Sequence, residues 1–174
     1  MSAADFIQLW LHVLGLAAYG GATLALMIMV LPAANGVADA GARRKFLAAA
    51  LRVYDPLAIA ALGVVLMSGA FNLTAYKAAF RAEFFERLGW LLVWKLILAF
   101  LVIMVGTYIT FGLGHRIVRS EGLEDPVDEV WLASMTRRLI YACALSLILL
   151  AVTVWLGLEL GHPSLTTPAP PPAI

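Results

Sequence analysis

FIQLWLHVLGLAAYGGATLALMIMVLP, residues 6–32, contains no Asp, Glu, Lys or Arg. About 20 apolar helical residues cross a hydrocarbon core of ~30 Å, so this stretch is long enough to span a bilayer. Three further apolar stretches follow, at about 56–76, 88–115 and 134–161. The 174-residue chain is 63% hydrophobic and 13% charged, too little polarity to cover a water-soluble domain of this length. The pattern predicts an all-α, integral-membrane four-helix bundle forming one domain over residues 1–161. Residues 162–174, with Pro163, Pro168 and Pro170 to Pro172, read as an extended, flexible tail. No basic segment precedes the first span and it is too long for a signal-peptide core, so it is expected to be retained. The net charge of +1 gives no reason to expect nucleic acid, and the bilayer is the partner that composition implies. A single cysteine, Cys143, excludes an internal disulfide and a CxxC metal site.

The connections carry most of the charge. Arg43, Arg44, Lys45 and Arg52 alternate with Phe46, Leu47 and Leu51, a pattern that suits an interfacial helix or an extension of a spanning one. Asp55-Pro56 reads as an N-cap followed by proline at the first helical position, so the second span is expected to start there. Residues 77–87 form a mixed-charge connection with Phe80, Phe84 and Phe85 as interfacial anchors. Asp125-Pro126 reads as another helix start, with Asp128 and Glu129 complementing the dipole in the first turn. A helix from Pro126 to Gly161 would measure roughly 54 Å, so its first turns are expected to project into water.

Arg43, Arg44, Lys45 and Arg52 lie between spans one and two, and Arg116, Arg119, Arg137 and Arg138 flank the connection between spans three and four. The other side has Lys77, Arg81 and Arg87. The positive-inside rule then predicts both termini on the periplasmic side of a bacterial inner membrane. In that arrangement His12, Lys95, Asn72, Glu159 and His162 converge on the outer half. His12 is expected roughly 9 Å below the outer boundary, with Lys95 at nearly the same depth. The inner half offers Thr107, Thr110, Asp55 and His115 near its boundary.

His12, Gly15, Tyr19 and Thr23 share one face of the first helix. An ionisable residue within a membrane span is costly, so function is its default reading. His12 is either a hydrogen-bonding group between helices or a ligand to haem iron or copper, both of which accept neutral imidazole. His162, beside Pro163, is either solvated or a second ligand. Lys95 either snorkels and pairs with Glu159 or binds a haem propionate or another anion. Tyr19 and Asn72 are expected to line the site. Met27, Met29, Met67 and Met104 are scattered in depth and form no Met-x-x-Met cluster. Walker, His-Glu-x-x-His, Gly-x-Ser-x-Gly and CxxCH motifs do not occur.

Leu11-His12-Val13, Tyr19-Gly20-Gly21, Leu31-Pro32, Gly69 and Leu92-Val93-Trp94-Lys95-Leu96 together resemble the membrane domain of the copper resistance protein D (CopD) family. The resemblance covers roughly residues 6–160. It implies a four-helix inner-membrane domain linked to copper uptake or tolerance, with His12 and Lys95 as matched positions. HemJ-type protoporphyrinogen oxidases are more distantly similar, and there the matching histidine is implied to bind haem b. Leu31-Pro32 is not followed by the arginine those oxidases carry. The expectation is a CopD-like protein handling a redox metal near its periplasmic face, not a stand-alone enzyme. A b-type haem electron-transfer subunit of a larger complex, or a HemJ-like haem-pathway oxidase, is the alternative, and a structural accessory subunit the third reading. Expected partners are another membrane subunit, a periplasmic metal or redox protein, or a second copy of the chain.

Overall fold

In a computed structural model of the chain, residues 3–80, 84–122 and 128–160 are described. They form four long helices: α1 (Ala3–Asn35), α2 (Ala40–Phe80), α3 (84–121) and α4 (Glu129–Leu160). All four are long and apolar enough to cross a membrane. Their outward faces carry exposed Ile28, Phe100, Phe111 and Ile148, as expected where lipid is the solvent. The chain is a multi-pass membrane protein with an all-α bundle.

Each boundary has a local cause. α1 runs on past the expected end at Pro32, through a π-helical stretch at Leu26–Val30 just before that proline. Proline has no N–H and crowds the preceding turn, and a π-bulge relieves such a conflict without ending the helix. Gly36 closes α1, its N–H reaching the Ala33 carbonyl at 3.1 Å. Asp39 caps α2: its Oδ2 accepts the Ala42 N–H at 2.6 Å. The Arg43 Nε–H then ties the connection by donating to the Val37 carbonyl at 3.1 Å.

Two expected helix starts move. Asp55-Pro56 does not open a span, because Pro56 lies inside the 41-residue α2. Of the two readings for residues 40–53, extension of the spanning helix is the one observed. A proline is tolerated within a membrane helix because packed neighbours compensate the freed backbone groups. At the fourth helix Asp128 is the cap, its Oδ1 accepting N–H bonds from Val130 at 2.9 Å and Trp131 at 3.1 Å. Asp125-Pro126, the anchors Phe80, Phe84 and Phe85, and the tail fall outside the described residues or side chains.

Neighbouring helices run antiparallel, α1 against α2 and α3 against α4, closed by α2–α3 and α1–α4 contacts. The start of α1 at Ala3 and the end of α4 at Leu160 therefore lie at one end of the bundle (the termini end), and the basic connections lie at the other. The main core occupies the middle and the basic end, where Leu31, Leu47, Leu51, Ile109, Leu113, Ile117, Leu132 and Leu139 are fully enclosed. At the termini end a small cluster forms among the described residues, Leu160 against Leu73, Leu91 and Leu92. Exposed Phe6, Trp10, Trp90, Trp94 and Trp155 ring that end, including edge-to-face pairs Phe6–Trp10 and Trp90–Trp94. Such an aromatic girdle marks a membrane–water boundary.

Candidate functional site

His12 is half-buried between the main core and the small terminal cluster, and it is held by α2. Its Nδ1 lies 3.1 Å from the Val65 carbonyl oxygen and 3.0 Å from Ser68 Oγ. The Ser68 hydroxyl donates to the Val64 carbonyl at 2.5 Å, so toward His12 it acts as an acceptor. A carbonyl can only accept. Nδ1 therefore carries the proton, and the Nε2 lone pair has no partner among the described residues. Metal-bound histidines show this same division, one ring nitrogen donating to an oxygen and the other binding the metal.

Glycine makes room for the ring. A Cβ at Gly69 would come within 3.2 Å of His12 Cε1. Lys95 is accommodated in the same way across the bundle, where a Cβ at Gly157 would lie 3.1 Å from Nζ. The two residues are not side by side. Gly106 stands against Leu62, and the partners of His12 lie beyond Leu62 on α2. Counted along the antiparallel helices, the Lys95 backbone is roughly one to two turns nearer the termini end.

Asn72 is half-buried one turn beyond Ser68 on the same face of α2. Tyr19 is fully enclosed, and its hydroxyl lies 2.7 Å from Ser146 Oγ on α4. Thr23 donates to the Tyr19 carbonyl at 2.8 Å and sits 3.1 Å from the Tyr54 hydroxyl. Tyr19 thus belongs to a hydrogen-bonded seam joining α1, α2 and α4, below the His12 level. Glu159 is exposed, and the salt bridge found among the described residues joins Arg52 to Glu121, not Lys95 to Glu159. His162 lies outside the described residues. Met29, Met67 and Met104 are on exposed faces, and Cys143 is buried.

Sequence reasoning did not find Ser68, the Val65 carbonyl or Gly157. The available signal was the small pair Ser68-Gly69 on α2, since small residues mark close helix approaches. At the basic end, Asp55 packs on the π-helical stretch Tyr108–Gly114, where a Cβ at Gly114 would meet its Oδ1 at 2.9 Å. Among the described residues no three His, Cys, Asp or Glu side chains gather as a metal cage. Comparison with protein-family models, curated proteins and solved structures returns no match.

Proposed function

We propose that this protein holds a redox metal centre in the half of the membrane nearest its termini, with His12 Nε2 as the protein ligand. The observation that carries this reading is the orientation of His12: Nδ1–H is engaged by Val65 and Ser68, leaving Nε2 available. Haem b is the form of centre the donor set supports best. A haem brings four nitrogens of its own and needs one or two protein ligands, whereas copper sites draw most of their ligands from side chains. His12 would hold and orient the iron, and the Lys95 ammonium would bind a propionate. Bound haem would supply one-electron chemistry. A second ligand would come from His162 or from a partner chain.

Copper handling of the CopD type is the second reading, favoured by the paired resemblance at His12 and Lys95. In both readings the basic end is cytoplasmic and the site periplasmic, in a bacterial inner membrane, as the positive-inside rule indicates. Purified protein produced with ample haem and copper separates the readings. A Soret band lost in His12→Ala supports haem, and bound copper without a Soret band supports the CopD-like reading. Neither cofactor, or full retention by His12→Ala, overturns the ligand assignment and leaves a structural subunit.

A further inference from the structure

A shallow groove runs down the outside of the bundle between α3 and α4, away from His12. Met104, Val105, Ala142 and Leu145 form its apolar floor and walls. Tyr108 and Tyr141 flank it, both exposed, and Arg138 stands at its end toward the basic connections. Tyr108 opens the π-helical stretch of α3, and its ring lies forward along its own helix, over Gly112. A Cβ at Gly112 would come within 2.7 Å of the Tyr108 ring. Glycine at 112 therefore sets one wall of the groove.

Depth and charge say what fits there. Arg138 is 17 residues before Trp155 of the aromatic girdle, roughly 26 Å along the helix, so it lies near the opposite face of a ~30 Å core. It is exposed and makes no ion pair or hydrogen bond among the described residues, whereas Arg52 pairs with Glu121. A guanidinium at headgroup depth, with two tyrosines beside it and an apolar channel below, is complementary to a phosphate ester carrying acyl chains. We infer that the α3–α4 groove is a binding site for one anionic phospholipid, its phosphate on Arg138 and an acyl chain between Met104 and Leu145. The geometry differs from general lipid contact in having an arginine without a protein partner at one end and a glycine-dependent wall along its length. Lipid rather than a second copy of the chain is the occupant, because the shallow groove joins one cation to an apolar strip at headgroup and acyl depth.

Native mass spectrometry of the full chain in a neutral detergent, titrated with phosphatidylglycerol or phosphatidylcholine, tests the site. Wild type should retain one phosphatidylglycerol at least ~5-fold more tightly than phosphatidylcholine. Arg138→Gln should remove that preference, Arg138→Lys should restore much of it, and Ala142→Leu should weaken both lipids by filling the slot. Soluble glycerol phosphate should not compete, since it lacks the chain that the slot holds. Equal binding of the two lipids by wild type, or an unchanged preference in Arg138→Gln, would overturn the inference. So would equal competition by glycerol phosphate, or a dimer without retained lipid. Helical content and monodispersity of each variant separate lost binding from lost folding. Arg137→Gln, on an exposed neighbouring position, serves as the charge-matched control and should keep the preference.

Discussion

The basic-end half and the termini-end half of the bundle are built differently. Toward the basic end, leucines and isoleucines from all four helices are enclosed, and the polar side chains of the Tyr19, Thr23, Tyr54 and Ser146 seam are mutually hydrogen-bonded. Toward the termini, enclosure among the described residues falls to the Leu160 cluster, and the polar residues His12 and Lys95 sit against glycines. Lipid tails are as apolar as leucine, so helices in a membrane are held by close packing and hydrogen bonds. The first half has both and works as the fastener. Among the described residues the second has less packing and leaves His12 Nε2 without a partner, as the proposed metal site requires.

Truncation across the two halves should break this comparison if it is wrong. Leu139→Ala opens a cavity in the main core and should cost about 2–5 kcal/mol, read from thermal unfolding in detergent. Leu160→Ala, in the small cluster, should cost less than half as much. Equal losses would mean that the termini end is fastened as firmly as the other. The next largest effect concerns the site. Ser68→Ala removes one of the two acceptors that orient His12, and second-shell losses of this kind weaken metal binding roughly 10–100-fold. The unfolding midpoint should barely move. A large stability loss with unchanged cofactor content would make Ser68 part of the fastener instead.

Tyr19→Phe should do the reverse. It deletes the hydroxyl bonded to Ser146, and hydrogen bonds between membrane helices average about 0.6 kcal/mol in stability. Cofactor content should stay at the wild-type level. The smallest effect is expected from Glu159→Gln, because Glu159 is exposed and forms no ion pair with Lys95. Both unfolding and cofactor spectra should match wild type, with any stability change under about 0.5 kcal/mol. A marked change in the spectrum would restore Glu159 as a charge partner of the site.

Much of the architecture was legible because lipid imposes a simple rule: a spanning segment must satisfy its own backbone, and apolar runs this long do so as helices. That rule found four helices and placed the basic connections together. It did not find their ends. Pro56 looks like a start signal in isolation, yet α2 passes through it because its neighbours support the helix on either side. Pro32 looks like a stop, yet a π-helical stretch carries α1 onward. For the site, the cost of a histidine in a span singled out His12, but its depth alone suggested a level match with Lys95. The register of the antiparallel helices sets them apart, and no counting from span ends could measure it.

Sequence alone determined that this is a four-helix membrane protein, that its basic connections share one side, and that His12 and Lys95 are its costly residues. Those conclusions follow from composition and order, which water and lipid read without reference to packing. Only the tertiary structure decided that Ser68 and the Val65 carbonyl engage Nδ1, that Gly69 and Gly157 make room for His12 and Lys95, and that Tyr19 belongs to the fastener. The physical reason is that hydrogen-bond direction and close approach depend on where α2 and α4 present single atoms. That placement is set by helix register across the bundle, which no one helix carries in its own sequence.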